Sequence, residues 1–388
     1  MSETVMIVAG ETSGELYGAL LAAALREKRP DLDLIGIGGE RMREAGVTLV
    51  AGISSAFGFA EVIASIRELK RTFQKAVDAL NSRKPSVLVL IDYPDFNLKL
   101  AEKARNLHIK VLYYVSPQVW VWRKNRIHTI ARLVDKMAVI LPFEEKIYRD
   151  IGVDCEFVGH PVLDELKGMS LQKEDLKREL GLRPGVPLIS LLPGSRTHEI
   201  NKLLPVMTEV IRECRQEFKD IQFCIPFAPN TDMEKYRQEI SLLEQEGVRI
   251  NQGKAVKALA ASDCAVVASG TASLQAVLLG IPLVVIYKVS SISYWIGRMV
   301  LEGKYMTLAN ILSDREIVRE FLQADASAAN VSKELKRLMT DSRYRENALE
   351  AYSRVQEMFN GKKASDRVSD MVLQLIGKVH NSSLIKEG

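Results

Sequence analysis

Short runs of β-branched and other apolar residues alternate along this chain with longer stretches of helical periodicity. This is the pattern of βα units that feed a parallel sheet with helices on both faces. In the first half, the runs that predict strands are Thr4 to Ala9, Leu34 to Ile37, Val87 to Ile91, Lys110 to Tyr114 and Lys136 to Ile140. A charged piece, LKGMSLQKEDLKRELGLRPGVP, then interrupts the alternation with helical spacing and a Pro/Gly turn. The pattern restarts at Leu188 to Leu192 and continues through Ile221 to Ile225, Cys264 to Ala268 and Leu283 to Tyr287.

The interruption reads as a connector and sets a boundary near Leu166. The expected organisation is a Rossmann-like domain over 1–166, a second over 167–350, and a helical segment over 351–388 that packs back on the first. Two such domains facing across a cleft would carry their ligands in the loops after strands, where open α/β sheets bind them.

Composition supports this picture and narrows it. Of the 388 residues, 47% are hydrophobic and 26% charged, enough to bury two cores. The net charge of +4 gives no global field for nucleic acid, so no nucleic-acid partner is expected. Cys155, Cys214, Cys224 and Cys264 lie far apart, without metal-ligand spacing, and read as buried thiols of a reducing compartment. The N-terminal MSETVMIVAGE has no basic leader, and no stretch offers about 20 unbroken apolar residues, so a cytoplasmic protein is expected.

The chemistry concentrates after predicted strands. In AGETSGELYGALL, Gly10 and Gly14 allow a tight turn, Ser13 is placed to cap the next helix, and Glu11 is the pointed side chain. The bland alternative is an ordinary βα connection. Gly36, Gly38 and Gly39 in IGIGGE read as a structural turn, and Asp31 with Asp33 enters a strand instead of leaving one, which argues against a metal there. In VLIDYPDFNL, Asp92 follows a buried strand where α/β enzymes place a base, while Asp95 is assigned to capping a helix near Phe96.

Phe57, Phe59, Val62, Ile63, Ile66 and Leu69 fall near one another, followed by Arg67, Lys70 and Arg71. The make-up suits either a core-facing helix or one lying in a membrane interface. Trp120 and Trp122 against Arg123, Lys124 and Arg126 suit a phosphorylated or sugar-bearing ligand. His128 and His160 are lone histidines and can each be structural.

In LLPGSRTHEI, Gly194, Ser195 and Arg196 follow a strand and suit a nucleotide diphosphate, against the bland reading of an arginine paired with Glu199. In VVASGTASLQAV, Gly270, Thr271, Ala272 and Ser273 open a helix whose N–H groups would hold phosphate.

Taken in order, GETSGE, IDYPDFNL, SPQVWVWR, LPFE, VGHPVLDE, LLPGSR, SGTASLQA and LANIL resemble the lipid-A-disaccharide synthase family (glycosyltransferase family 19) over almost the whole chain. The resemblance implies the GT-B fold of two Rossmann-like domains, with UDP held mainly by the C-terminal half. It also implies an inverting transfer from UDP-2,3-diacylglucosamine to 2,3-diacylglucosamine 1-phosphate, with no metal and no cofactor. On matching positions, Asp92 is the base for the acceptor 6-hydroxyl and Arg196 holds the departing diphosphate. Gly270, Thr271, Ala272 and Ser273 cradle phosphate, and Gln275 and Asn310 lie near ribose or uracil. Peripheral association with the inner membrane follows, through Phe57, Phe59, Ile63 and Ile66, with a homodimer as a candidate assembly.

The chain departs from the family pattern at Glu15, where Asp is usual, at Gln275, where Glu is common, at Ala309, where Pro is usual, and at Phe57 and Gly58. The alternatives are another GT-B enzyme acting on UDP-N-acetylglucosamine and a non-catalytic UDP-sugar-binding protein.

Overall fold

The computed structural model describes residues 3–52, 62–117, 126–165, 172–288 and 305–384, with the side chains of Thr12, 62–66 and 378–384 outside the description. Phe57, Phe59, Trp120, Trp122, Arg123 and Lys124, and the side chains of Ile63 and Ile66, therefore lie outside the described residues. The chain forms two compact units, Met1–Lys167 together with Phe359–Gly388, and Gly168–Met358.

The first unit alternates β1 (Thr4–Ala9), α1 (Thr12–Lys28), β2 (Asp33–Gly38), α2 (Glu40–Glu44), β3 (Thr48–Gly52), α3 (Val62–Arg83) and β4 (Val87–Ile91). It continues through α4 (Pro94–Asn106), β5 (Lys110–Tyr114), α5 (Arg126–Leu133), β6 (Lys136–Val139), α6 (Pro142–Arg149), β7 (Cys155–Phe157) and α7 (Val162–Glu165). The strands make a parallel sheet in the order β3-β2-β1-β4-β5-β6-β7. β4 is buried along its whole length, as a strand covered on both faces must be, so an unbroken Val/Leu/Ile run forms it. At Gly36 a Cβ would stand 2.0 Å from the Ile7 carbonyl oxygen, so this approach of β2 to β1 requires glycine.

The second unit runs through α8 (Lys173–Glu179), β8 (Leu188–Leu192), α9 (Thr197–Glu217), β9 (Gln222–Phe227), α10 (Arg237–Gln245), β10 (Arg249–Gln252) and α11 (Ala255–Ala261). It then adds β11 (Cys264–Ala268), α12 (Thr271–Leu278), β12 (Leu283–Tyr287), α13 (Leu308–Ser313), β13 (Arg319–Leu322), α14 (Ala328–Thr340) and α15 (Ser342–Glu357). Its sheet is also parallel, in the order β10-β9-β8-β11-β12-β13.

The last helix, α16 (Ala364–Leu384), returns to the first unit. Val368, Met371, Val372 and Leu375 recur at helical spacing and are buried in the first unit's core, each contributing on the order of 2 kcal/mol. Asp164 accepts from the backbone N–H and the hydroxyl of Ser365 at 2.6 and 2.7 Å, holding the helix start. Lys28 pairs with Asp366 at 2.8 Å and Asp370 at 2.6 Å.

All four cysteines are free and buried. Desolvation pushes the thiols up, to about 12 at Cys155 and Cys264 and to about 11 at Cys214 and Cys224. No helix among the described residues is long and apolar enough to cross a membrane. Strand order reverses between β1 and β4 in one sheet and between β8 and β11 in the other. In open α/β sheets ligands bind beyond the carboxyl ends at such reversals.

Candidate functional site

In the first unit the reversal brings two turns side by side. Ala9 pairs with Ile91, so the Gly10–Glu11 turn leaves β1 beside the Asp92–Tyr93 turn that leaves β4. Asp92 and Tyr93 both have positive φ, 49° and 47°, a conformation that costs a non-glycine residue roughly 1–2 kcal/mol. Three contacts hold it. The Asp92 carbonyl accepts from Asn97 Nδ2 at 2.7 Å and from the Tyr113 hydroxyl at 2.6 Å, and the Asp92 N–H donates to the Tyr114 carbonyl at 3.1 Å. Burial, aided by the charge of Asp92, raises the Tyr113 phenol well above its ordinary range, so it stays protonated and remains a donor.

Tyr93 stacks on Phe96 with ring centroids 5.6 Å apart. A Cβ at Gly10 would fall 2.3 Å from the Tyr93 ring, so the glycine of one turn is required by the aromatic of the other. At Gly14 a Cβ would meet only ordinary contacts, the nearest 3.5 Å away.

Two capping assignments are corrected. The first helix begins at Thr12 with Glu11, in extended conformation, at the cap position, so Ser13 lies inside the first turn. α4 begins at Pro94, whose fixed φ suits a first helical residue, and Tyr93 takes the cap position. Asp95 is therefore inside α4 and pairs with Arg126.

Glu15 accepts from the Arg41 N–H at 3.0 Å and lies against Gly39, so it ties α1 to the start of α2. Asp31 pairs with Arg29, and Asp33 with Arg83. Glu144 of LPFE accepts from the Ser116 hydroxyl at 2.7 Å, joining two of the sequence motifs. His128 is exposed on α5. His160 is fully buried, and desolvation lowers its imidazole to about 4. Its Nδ1 accepts from the Val162 N–H at 3.3 Å, and its ring lies edge-on to Tyr17 and Phe359.

In the second unit Leu192 of β8 pairs with Val267 of β11, which sets the Gly194–Arg196 turn beside the Ser269–Gly270 turn. Gly194 has φ of 101°, and a Cβ there would stand 2.4 Å from a Glu199 carboxylate oxygen. That oxygen accepts from the N–H groups of Ser195 at 3.2 Å and Arg196 at 3.3 Å, and Arg196 pairs with Glu199 at 3.7 Å. Glu199 thus closes the turn from the start of α9 and satisfies both N–H groups.

Gly270, with φ 155° and ψ −158°, occupies a region essentially restricted to glycine, at the cap position of α12. Gly270 offers no side-chain cap to this helix, and Gly270 and Thr271 are exposed at the positive end of the helix dipole. Ala272 is half-buried beside them. Ser273 is buried, and its hydroxyl donates to the Gly270 carbonyl at 2.7 Å, fixing the turn. Gln275 lies one turn further along, partly exposed.

Asn310 is fully buried and its amide is saturated. Nδ2 donates to the Val318 carbonyl at 2.8 Å and to Glu320 at 2.7 Å, while Oδ1 accepts from Ile317 and Val318 at 2.8 and 2.9 Å. Glu320 also accepts from the N–H groups of Met306 and Thr307 and from the Thr307 hydroxyl. Asn97, Tyr113, Glu199 and Glu320 were not foreseen as site residues. Glu199 was legible as the partner of Arg196, and Asn97 left a trace as a polar residue on the otherwise apolar face of Phe96, Leu100 and Ala101.

A family model described as Lipid-A-disaccharide synthetase matches residues 5–372. A lipid-A-disaccharide synthase of Syntrophus aciditrophicus is 42% identical over 379 residues, covering 97% of this chain and 99% of the relative. Among solved structures, a UDP-GlcNAc 2-epimerase from Neisseria meningitidis matches with a TM-score of 0.62 at 12% identity, covering 97% of this chain and 100% of the other. A calicheamicin glycosyltransferase matches with a TM-score of 0.61 at 15% identity, covering 98% and 99%. These two likenesses concern the fold, a pair of parallel-sheet α/β domains of the GT-B type.

Proposed function

The chain belongs to the lipid-A-disaccharide synthase family, and from that premise we propose how its two strand-end sites divide the work of a UDP-sugar glycosyltransferase. The donor is UDP-2,3-diacylglucosamine and the acceptor 2,3-diacylglucosamine 1-phosphate. The acceptor's 6-hydroxyl attacks the donor's anomeric carbon, the bond to the diphosphate oxygen breaks with its electron pair leaving on UDP, and configuration inverts. The hydroxyl proton passes to the Asp92 carboxylate.

The observation that carries this reading is the clamped left-handed turn at Asp92, since strain held by dedicated donors clusters where side-chain position matters chemically. Glu11 at the cap of α1, with Ser13 and Gly14 in the helix's first turn, stands on the acceptor side. The charge developing on UDP falls to Arg196 and to the N–H groups of the Gly194–Ser195 and Gly270–Ala272 turns. The Arg196 guanidinium is 56% exposed and 3.7 Å from Glu199, a contact worth at most about 1 kcal/mol, so a diphosphate with two charges competes for it readily. Ser273 and Asn310 act as positioning residues, through the turn and the 307–320 segment that they hold, and Gln275 serves the ribose hydroxyls.

Because both substrates are lipids, we place the protein peripherally on the inner-membrane surface, with Phe57, Phe59, Ile63 and Ile66 as its apolar contacts. The basic Arg67, Lys70 and Arg71 that follow support this placement. Mass spectrometry of products from acylated and non-acylated UDP-glucosamine, offered together with the acylated acceptor, tests the substrate assignment. A disaccharide built from the acylated donor is expected, and exclusive use of the non-acylated donor would overturn it.

A further inference from the structure

We propose that Arg41, just beyond the carboxyl end of β2, receives the 1-phosphate of the acceptor sugar and so selects a phosphorylated acceptor. The assignment rests on the reading of Asp92 as the base for that acceptor's 6-hydroxyl.

The first support is an unanswered charge. Arg41 is half-buried, and among the described residues its side chain makes no hydrogen bond or ion pair. The other described arginines of the first unit either have such partners, as Arg26, Arg43 and Arg126 do, or stand exposed, as Arg67 and Arg71 do. A guanidinium that has given up part of its hydration without a partner favours an anion, and its forked donors match a phosphate.

The backbone that carries Arg41 is held in place without using its side chain. Glu15 accepts from the Arg41 N–H at 3.0 Å, and a Cβ at Gly39 would clash with the Glu15 carboxylate, so a glycine is needed for this close tie between α1 and α2. Met42, the next residue, is buried against Gly18 and Gly38.

Strand register relates Arg41 to Asp92. Val8 pairs with Ile37 and Ala9 with Ile91, so the exits of β2 and β4 stand two strand spacings apart, about 9–10 Å. Burial raises the Glu165 carboxyl, with the charge of Arg41 opposing, and burial followed by the charges of Glu165 and Asp92 raises the Tyr17 phenol. Arg41 and the proposed base therefore lie within electrostatic reach of the same Glu165–Tyr17 pair, on the α1 side of the strand ends.

The acceptor fits this spacing. Its 6-hydroxyl and 1-phosphate hang from the two ring carbons that flank the ring oxygen, so a hydroxyl at Asp92 leaves the phosphate within an arginine's reach from a nearby strand exit. The donor's diphosphate is assigned to Arg196 and the Gly270 turn of the second unit, which leaves the acceptor's phosphate as the anion still to be received.

The test measures kcat/KM for 2,3-diacylglucosamine 1-phosphate and for the same acceptor lacking its phosphate, in the full-length chain and in Arg41→Ala and Arg41→Lys, the donor being held constant. Arg41→Ala is expected to lower the value for the phosphorylated acceptor about 10- to 100-fold and that for the other less than about threefold, with Arg41→Lys between parent and Ala. UDP binding and melting temperature should stay near the parent's. Equal losses on both acceptors, no loss on either, or a loss that appears in the donor KM overturns the proposal.

Calorimetric binding of the two acceptors in an Asp92→Asn background reads the phosphate contact without turnover. The preference for the phosphorylated acceptor should survive there and collapse when Arg41→Ala is added; a preference that persists overturns the proposal. If Asp92→Asn itself retains full transfer, the base assignment fails while the binding difference at Arg41 still decides the phosphate contact.

Discussion

Asn97, fully buried on α4, donates through Nδ2 to the carbonyl of Asp92 at 2.7 Å, and the same amide reaches the Ile91 carbonyl at 3.2 Å. The bond acts on the backbone of the proposed base, not on its carboxylate. Replacing Asn97 with Ala should release one of the two donors on that carbonyl and let the turn relax from φ 49°. A kcat loss of about 10- to 100-fold is expected, with donor KM little changed, alongside a stability loss of about 1–3 kcal/mol. Kinetics and urea denaturation on the same variant separate the two effects, and a pure stability loss at unchanged kcat would show the clamp to be structural only.

Asp92→Asn keeps the turn but removes the proton acceptor. Transfer should fall about 10²- to 10⁴-fold while UDP binding, measured by calorimetry, stays near the parent value. Retained turnover would remove Asp92 from the mechanism.

Glycines of the first turn should respond in opposite directions. Gly10→Ala places a methyl 2.3 Å from the Tyr93 ring and must push the Asp92–Tyr93 turn aside, so activity should drop steeply. Gly14→Ala meets no contact closer than 3.5 Å inside α1 and should stabilise the helix by about 0.5–1 kcal/mol. Equal behaviour of the two in melting and turnover would contradict the packing described.

What was legible beforehand follows a physical rule. The strands expected from β-branched runs are the inner members of both sheets, and the unforeseen β3, β7, β10 and β13 are the four edges. An edge strand is covered less completely, so TLVAG is nowhere fully buried and RINQ buries only the polar Asn251, and neither carries a long apolar run. The site divides similarly. Asp92, Arg196 and the Gly270 turn announce themselves by following strands, whereas Tyr113 acts on Asp92 from 21 residues away and Glu320 on Asn310 from 10. Such contacts depend on sheet order, which local pattern does not encode. The capping errors at Ser13 and Asp95 arose because extended Glu11 and left-handed Tyr93 take cap positions without a capping side chain.

Acid should unfold the protein in part through His160. Burial holds this imidazole near 4, below its ordinary 6.5, so the unfolded chain binds the proton more readily than the folded one. The contribution is complete above about pH 6.5, shrinks as pH falls toward 4, and amounts to roughly 3 kcal/mol in all. The stability difference between parent and His160→Gln should therefore change across pH 7 to 4.5, in the direction that destabilises the parent more. Parallel curves would place the acid sensitivity elsewhere.

Arg196 and Glu199 form one turn but should fail differently. The guanidinium side chain is 56% exposed and 3.7 Å from its partner, so Arg196→Ala should cost the fold less than about 1 kcal/mol. Its loss to the departing diphosphate should lower kcat about 10²- to 10³-fold, with partial recovery in Arg196→Lys, which restores charge without the forked donors. Glu199 instead accepts from two backbone N–H groups at the start of α9, so Glu199→Ala should destabilise by about 0.5–2 kcal/mol and disturb UDP binding only through the loosened turn. Urea midpoints and kcat for the three variants decide the matter. If Arg196→Ala lost stability and kept its turnover, the arginine would be a surface partner of Glu199 and the diphosphate would depend on the Gly270 turn alone.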